Sequence, residues 1–420
     1  MAKKSGVKVN EFSLGMGPKI VSFQKGETTY SLRAFPIGGF CAMEGEDEDS
    51  ENPRAFNNAS IPKRMLIIVA GAAMNIVFGL ILMFVTLMPN DAFTSTTVSQ
   101  FEPYSFSAVT GLQEGDKIVR LNGYRTYTST DFSFALYTLP VSDIDGDEFS
   151  IYKEDCVFDL YVYVREHIPE GMPDEDFAAM YAVWRDASSK IAETRDKEEA
   201  YAVFCDYYDR LSVLLGDEID GYPEIEIQQS RKRFRTDMTV LRNGEEVELS
   251  SVDFLTYRTE ENDEPQLQID FYVEPIEKTA GTLITQTFSQ TVSVVRMVWG
   301  SLIGLVKGQF SINDLSGPVG IASTLTDVAG ESLRTSGFGS AVMSIVYVMM
   351  VITVNLGVVN MLPFPALDGG RFLMLLIEAI FKKPVPRKVE SIINAVGLVL
   401  LLALTAVIAV KDVWKIIVGG

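Results

Sequence analysis

The sequence has 420 residues, of which 47% are hydrophobic, and a formal net charge of −20 at pH 7. This length allows two or three domains, and the hydrophobic fraction is high for a water-soluble protein. The acidic balance argues against nucleic acid as a partner, because nucleic acids attract basic surfaces.

The apolar residues form runs that are long enough to cross a membrane. Residues 65–88 and 391–410 contain no charged side chain, and each run exceeds the length needed to cross about 30 Å of hydrocarbon. A third apolar region, 339–381, is interrupted by polar residues near its middle. We predict transmembrane helices at 65–88 and 391–410 and a discontinuous transmembrane segment at 339–381, with buried core helices as the alternative.

Basic residues predict the orientation of these segments. They flank the first run on its N-terminal side and fill the gap between the second and third, at Lys63, Arg64, Lys382, Lys383, Arg387 and Lys388. Cytoplasmic loops carry an excess of such residues, so both places are expected on the cytoplasmic side. The region between the first two segments is then extracytoplasmic, in a multi-pass protein of the cell membrane.

Residues 1–62 predict a β-hairpin beside the membrane. Apolar residues alternate on both sides of Lys25-Gly26-Glu27, which is typical of two strands joined by a turn. An apolar loop that contains Gly38 and Gly39 follows, and it is too short to span a bilayer. We expect this loop either to dip into the membrane or to lie against it as a peripheral cytoplasmic hairpin.

Residues 95–275 are expected to form a separate β-rich domain. Asn-Gly pairs at 122–123 and 243–244 predict tight hairpin turns. An acidic insertion at 141–235 interrupts the β pattern, and residues 170–220 hold 14 acidic and 5 basic side chains. Helical spacing of its apolar residues predicts two amphipathic helices whose aromatic stripe forms their core. Residues 278–308, where polar residues break an apolar run, predict an amphipathic interfacial helix.

The cysteines and the single histidine supply no obvious metal site. Cys41, Cys156 and Cys205 show no Cys-x-x-Cys spacing, so a cysteine zinc site is not indicated. Cys156 and Cys205 share the outer compartment, and the sequence leaves open whether they pair. His167 lies in the insertion and is predicted to be a surface residue.

The polar stretch at 360–370, with the sequence NMLPFPALDGG, interrupts the third apolar region. Pro363 and Pro365 are incompatible with a regular helix, because proline lacks the N–H and clashes with the preceding turn. The helix should therefore break at membrane depth, where an ionisable side chain such as Asp368 is costly. That cost marks Asp368 as a candidate functional residue, with capping of the broken helix as the alternative role.

This stretch closely resembles the Asn-x-x-Pro-x-Pro-x-Leu-Asp-Gly motif of the site-2 proteases, zinc metalloproteases that cleave within membranes. Other segments resemble the bacterial branch of that family and follow its order, namely residues 6–9, 11–13, 15–18, 36–39, Gly71 with Asn75, 111–116 and 315–322. The resemblance covers nearly the whole chain apart from the acidic insertion.

The resemblance implies roles for individual residues. Asp368 would be the third protein ligand of a catalytic Zn²⁺, a role for which a carboxylate is suited. Asn360, Pro363 and Pro365 would hold the substrate strand, and the Gly38-Gly39 loop would present it. The β domain would be PDZ-like, and PDZ domains take peptides by strand addition. The substrate would be a membrane-spanning protein that another protease has already trimmed.

The chain departs from the family in one respect. The family takes two histidines and a general base from a His-Glu-x-x-His helix, whereas this sequence contains only His167. Residues 2–7 resemble the stretch that follows that helix in the family. Our hypothesis is that Met1 is an internal methionine, that the general base and the other ligands lie upstream of it, and that the chain as written is inactive. The DNA upstream of Met1 tests this hypothesis.

The sequence therefore predicts a polytopic α-helical membrane protein with an extracytoplasmic PDZ-like α+β domain and a membrane-associated β-hairpin. The predicted function is that of an intramembrane zinc metalloendopeptidase. A catalytically inactive membrane scaffold that binds peptides is the alternative. A transporter with a discontinuous helix is physically permissible, but the sequence shows no inverted repeat.

Overall fold

A computed structural model describes residues 1–46, 50–102, 105–138, 148–169, 171–217, 219, 221–225, 234–259, 262–308, 310, 315–383 and 385–418. Its elements in chain order are β1 (Val9–Lys25), β2 (Thr28–Met43), α1 (Ile61–Leu87), β3 (Ala92–Phe101), α2 (Phe106–Val109), β4 (Lys117–Leu121), β5 (Tyr124–Arg125), α3 (Ser129–Tyr137), α4 (Glu148–His167), α5 (Asp174–Glu193), α6 (Lys197–Leu215), β6 (Phe234–Arg242), β7 (Glu245–Thr259), β8 (Asn262–Gln268), β9 (Phe271–Glu277), α7 (Ala280–Val306), α8 (Pro318–Ser336), α9 (Phe338–Asn360), α10 (Asp368–Phe381) and α11 (Arg387–Val418). Two short 3₁₀ helices lie at Lys3–Ser5 and Phe56–Asn58.

The chain divides into two compact units. The helical unit comprises Met1–Asp91 and Lys278–Gly420, and the β unit comprises Ala92–Glu277. The division follows the sequence pattern, because the long apolar runs all lie in the first unit and both Asn-Gly turns lie in the second.

Four helices among the described residues are long and apolar enough to cross a membrane: α1, α7, α9 and residues 388–414 of α11. Each of the three apolar regions predicted from the sequence is thus confirmed to contain a helix of sufficient length, which in the third region is α9. In α7, the polar residues Gln290 and Ser293 are buried, whereas Phe288 and Val292 are more than half exposed. The polar face of α7 therefore packs inward, and its assignment as an interfacial helix stays a prediction.

Helices α1 and α9 pack closely because small residues line their contact. A Cβ atom on Gly357 of α9 would lie 3.1 Å from the carbonyl oxygen of Ala72 and 3.2 Å from Cβ of Asn75. Small residues at such positions let helix backbones approach in a membrane. The prediction that Asn75 faces another helix is confirmed.

The N-terminal hairpin forms as predicted and folds back on itself. Gly26 occupies the turn with φ +66°, a conformation that glycine adopts at little cost. Residues 11–14 of β1 pair with residues 39–42 of β2 on one side and with residues 29–32 on the other. The two long strands thus form a small folded ribbon in which residues 11–14 lie between two parts of β2.

The β unit is built on one antiparallel sheet. Its strand order is β8-β7-β6-β4-β3-β9, and β5 pairs with β4. Both Asn-Gly turns form where predicted, since Asn122 and Asn243 have positive φ angles of 45° and 53°, as a type I′ turn requires. Apolar side chains of the sheet and of α3 form the core, including Val98, Ile118, Ala135 and Val240.

Within the described residues, the acidic insertion folds as three helices, α4, α5 and α6, which we call the three-helix insert. The two helices predicted from the sequence correspond to α5 and α6, and α4 was not predicted. The aromatic stripe is confirmed as core, because Trp184 and Phe204 are buried with Leu160 in one cluster. Cys156 and Cys205 contribute to this cluster as free thiols.

Candidate functional site at the helix break

The polar stretch between α9 and α10 is a compact loop. Helix α9 ends at Asn360, and α10 begins at Asp368. The amides of Met361 and Leu362 still bond to the carbonyl oxygens of Val358 and Val359, a tightening that is common in the last turn of a helix. The predicted break is therefore confirmed at the two prolines.

Glycines let the loop fold tightly onto the start of α10. A Cβ atom on Gly369 would lie 2.3 Å from the carbonyl oxygen of Leu362, and one on Gly370 would lie 2.3 Å from that of Phe364. Real Cβ atoms do not approach backbone oxygens this closely, because the two atoms would overlap well inside van der Waals contact. These positions accept only glycine in the observed conformation.

Asp368 is the first residue of α10, and its side chain is directed at α1. Its Oδ2 atom lies 3.6 Å from the position that a Cβ atom on Gly71 would occupy. The residue is half-buried in the first turn of the apolar helix α10, which packs against the apolar helix α1. A carboxylate is thus held against the backbone of an apolar helix.

Two ion pairs fix α10 beside this carboxylate. Arg371 Nη1 lies 3.0 Å from Glu46 Oε1, just beyond the end of β2. Arg64 Nη2, in the first turn of α1, lies 2.8 Å from Glu378 Oε1. The first pair ties the start of α10 to the hairpin, and the second ties its later turns to α1.

The hairpin contains a charged cluster centred on Glu11. Its carboxylate accepts hydrogen bonds from Ser31 at 2.7 Å and from Arg33 at 2.9 Å, and Lys19 lies 3.1 Å away. These partners hold the pKa of Glu11 at about 2, with the bond from Ser31 as the largest cause. Glu11 is therefore ionised at neutral pH and cross-links the strands of the hairpin.

The structure brings most of the predicted site residues together. Asn360, Pro363, Pro365 and Asp368 all belong to the loop or its ends, and Pro363 is exposed. Gly38 and Gly39 lie apart in β2, where Gly39 pairs with Leu14, and the Arg371–Glu46 pair joins that strand to α10.

Sequence reasoning missed two residues of α11 that contact the loop. Asn394 accepts a hydrogen bond from the amide of Ala366, and Gly397 lies against Pro365. The signal that marks them is a polar and a small residue, three positions apart, in the charge-free run 391–410.

These residues supply only part of the ligand set of the zinc ion that the resemblance implies. A catalytic zinc takes three protein ligands, and Asp368 supplies one suitable donor. Among the described residues, no three His, Cys, Asp or Glu side chains lie close enough together to hold a metal ion. His167 ends α4 in the other unit, where Nδ1 lies 2.9 Å from the carbonyl oxygen of Tyr163 and 42% of the side chain is exposed. The described donors therefore do not complete a zinc site.

Comparison with known proteins identifies the family. The profile of peptidase family M50 matches residues 1–404. A putative zinc metalloprotease of Clostridium perfringens is 26% identical over 415 residues, which covers 98% of this chain and 92% of that protein. The regulator of sigma-W protease RasP of Bacillus subtilis is 26% identical over 431 residues, covering 99% and 93%. The zinc metalloprotease RasP of Bacillus licheniformis is 26% identical over 433 residues, covering 99% and 94%. The chain therefore belongs to peptidase family M50, the site-2 protease family, as a multi-pass membrane protein whose expected cofactor is zinc.

Proposed function

We propose that this protein is an endopeptidase that cleaves membrane-spanning proteins. Its proposed active site is at its own loop between α9 and α10. The observation that carries the proposal is the position of Asp368, a carboxylate at a break between two apolar helices, directed at Gly71 of a third. A charge in this setting requires a function to offset its cost, and the family supplies one as a zinc ligand. Asp368 is assigned the ligand role on these grounds.

The loop and the hairpin are suited to hold an extended substrate. Backbone groups between Asn360 and Asp368 lie outside regular helix, and Pro363 is exposed beside them. Residues 39–42 of β2 pair with β1 on one side only, among the described strands. A peptide strand binds such an edge through its backbone, and a substrate must unwind before any protease can cut it. We assign substrate binding to Asn360, Pro363, Pro365, Gly38 and Gly39.

The ion pair between Arg64 and Glu378 supports the proposed orientation. It places the start of α1 level with the later part of α10, and the basic residues at 63–64 and 382–388 flank these two positions. Both groups then lie on the cytoplasmic side. The β unit follows the opposite end of α1 and is extracytoplasmic in this arrangement.

In this arrangement we assign α7 as an interfacial helix rather than a fourth crossing, on the basis of where it meets α1. Lys278, just before α7, donates to the carbonyl oxygen of Met88, just after α1, and Val294 shares a buried cluster with Met83. With a rise of about 1.5 Å per residue, the step from Ala280 to Val294 is about 21 Å along the axis of α7. The step from Met88 to Met83 is only about 7.5 Å along the axis of α1. Such unequal steps are expected of helices that cross obliquely.

The β unit is assigned the role of a PDZ-like filter for substrates that another protease has trimmed. Strand β3 pairs with β4 on one side and with β9 on the other. A peptide strand adds only to a free edge, so β3 is not available for it in this arrangement. The outer strands of the sheet are β8 and β9, so the proposed filter acts either by restricting access by size or by reading the new substrate end at one of these edges.

The test is a cleavage assay in lipid nanodiscs with the protein expressed from its genomic locus, so that any coding sequence upstream of Met1 is included. The substrate is a membrane-spanning reporter that lacks a large outer domain. Asp368→Asn should abolish cleavage, because the amide is a poor metal ligand. The matched control is Asp327→Asn on α8, where the carboxylate is exposed and bonds to Ser323 in its own helix, and this variant should cleave normally. Unchanged cleavage by Asp368→Asn contradicts the proposal, and a wild-type protein that binds the reporter without cutting it indicates a scaffold instead.

A further inference from the structure

Ala366, in the loop before Asp368, has a backbone conformation that needs external support. Its φ angle is +72°, one of four such values among the described residues other than glycine. L-residues avoid the left-handed region because the Cβ atom approaches the carbonyl oxygen. Such strain persists only where the surroundings determine it, and it clusters at functional sites.

The support comes from one face of α11. The Oδ1 atom of Asn394 accepts a hydrogen bond of 3.3 Å from the amide of Ala366. Three residues along the same helix face, a Cβ atom on Gly397 would lie 2.4 Å from Cβ of Pro365 and 2.6 Å from its carbonyl oxygen. The small size of glycine lets the loop backbone rest directly on α11, within reach of Asn394.

This packing sets the course of the chain into Asp368. Only Leu367 separates Ala366 from Asp368, so the φ angle of Ala366 determines the direction in which α10 starts. Gly369 and Gly370 also pack against this loop, at Leu362 and Phe364. The loop is therefore held by two sets of contacts, one with the first turn of α10 and one with the Asn394–Gly397 face of α11.

We propose that Asn394 is a positioning residue, which holds Ala366 in its left-handed conformation and so fixes where the Asp368 carboxylate lies. The inference rests on the proposed function only for the importance of Asp368. The hydrogen bond and its effect on the loop are properties of the chain itself.

Two variants of nearly equal shape separate the hydrogen bond from packing. Asn394→Leu removes the acceptor, and Asn394→Asp retains an acceptor oxygen at the same place. Hydrogen exchange measured by mass spectrometry should show faster exchange at residues 361–368 in Asn394→Leu and wild-type exchange in Asn394→Asp. The control is Thr405→Val on α11, since Thr405 bonds within its own helix, to Leu401, and is exposed.

A suppressor tests the link to Ala366. Glycine adopts a positive φ angle freely, so Ala366→Gly in the Asn394→Leu background should restore most of the protection from exchange. In the reporter assay, Asn394→Leu should lower kcat about tenfold or more at unchanged KM, as expected when reacting groups are displaced while the substrate still binds normally. Ala366→Gly should restore kcat as well.

Wild-type exchange at 361–368 in Asn394→Leu overturns the proposal, and so does failure of Ala366→Gly to restore protection. If Asn394→Leu does not fold, Gly397→Ala probes the same packing from the side of Pro365 and should raise exchange in the same segment; no rise there also overturns the proposal. Normal cleavage by Asp368→Asn contradicts the proposed function alone, because the exchange result does not depend on it.

Discussion

The acidic side chains of the three-helix insert and of the helix break differ in their exposure to solvent. In the insert they are numerous and solvated, as Asp206 shows with 57% of its side chain exposed, while the interior is aromatic. At the break a single carboxylate, Asp368, is half-buried among apolar helices. The environment of a charge, rather than the number of charges, therefore marks the candidate functional carboxylate.

The two regions also differ in what holds them. Large side chains packed against one another stabilise the insert, with Phe204 and Leu211 fully buried. Close backbone packing made possible by glycine holds the break. Truncation of a core side chain in the insert should therefore affect stability most, and a small addition at the break should affect cleavage most.

The largest effect on stability is expected for Phe204→Ala. Phe204 is fully buried in the insert, and truncation of such a side chain costs about 3–5 kcal/mol. The unfolding free energy of the insert, followed by Trp184 fluorescence in denaturant, should fall by that amount. Cleavage of a reporter without a large outer domain should stay within about twofold, because local units unfold separately. The control Val213→Ala alters a side chain that is 79% exposed and should change neither quantity; loss of cleavage in Phe204→Ala would show that the insert takes part in the reaction.

Gly370→Ala should have a small effect on stability and a large effect on cleavage. The new methyl group would meet the carbonyl oxygen of Phe364 at 2.3 Å, and overpacking of this kind costs about 1–3 kcal/mol. Thermal unfolding of the helical unit should shift modestly, whereas cleavage should be abolished because the loop moves with Asp368. Gly330→Ala on α8 is the control, since nothing lies within 4 Å of its Cβ position. Normal cleavage by Gly370→Ala would show that the loop tolerates displacement.

The charged cluster of the hairpin predicts a pH dependence. The pKa of Glu11 is lowered from 4.5 to about 2 in the folded protein, so its stabilising contribution is present above about pH 4.5 and is lost as the pH falls toward 2. After allowance for the solvent that reaches Lys19, this amounts to about 2 kcal/mol. Hydrogen exchange of residues 9–14 between pH 5 and pH 3 should reveal the loss of stability. In Glu11→Gln the same segment should show no such additional change; an equal acid response in both proteins would assign it elsewhere.

The smallest effect concerns the thiols of the insert. Burial raises the pKa of Cys156 to about 12, and burial also raises that of Cys205. Both remain protonated at pH 8, and only the thiolate reacts readily. Maleimide labelling of the native protein should therefore be slow at both and become complete after unfolding without reductant. Two fewer reactive thiols in the unfolded protein would reveal a Cys156–Cys205 disulfide, which the sequence left open.

Local sequence signals predicted the elements that local chemistry determines. The Asn-Gly pairs specify their turns, Pro363 and Pro365 end α9, and the charge-free runs specify the long helices. Helix α4 was missed because its β-branched and aromatic residues, such as Ile151 and Tyr161, obscure the helical period. Packing against α5 and α6 overrides that local preference.

Contacts between residues that are far apart in the chain could not be predicted from the sequence. Arg371 and Glu46 are 325 residues apart, and Asn394 meets Ala366 across a helix and a turn. In a sequence, residues of these types are equally typical of protein surfaces and of contacts between helices. Their relation to Asp368 follows only from the fold, which is why the motif identified the site but not its supports.

The most direct test of the central claim is photo-crosslinking of a membrane-spanning reporter. A photoreactive amino acid is placed at exposed Pro363, in the break, or at exposed Val213, in the insert. If the substrate binds at the helix break, position 363 crosslinks to the membrane-spanning part of the reporter and position 213 does not. Crosslinking at 213 with none at 363 would contradict the assignment of the substrate to the helix break.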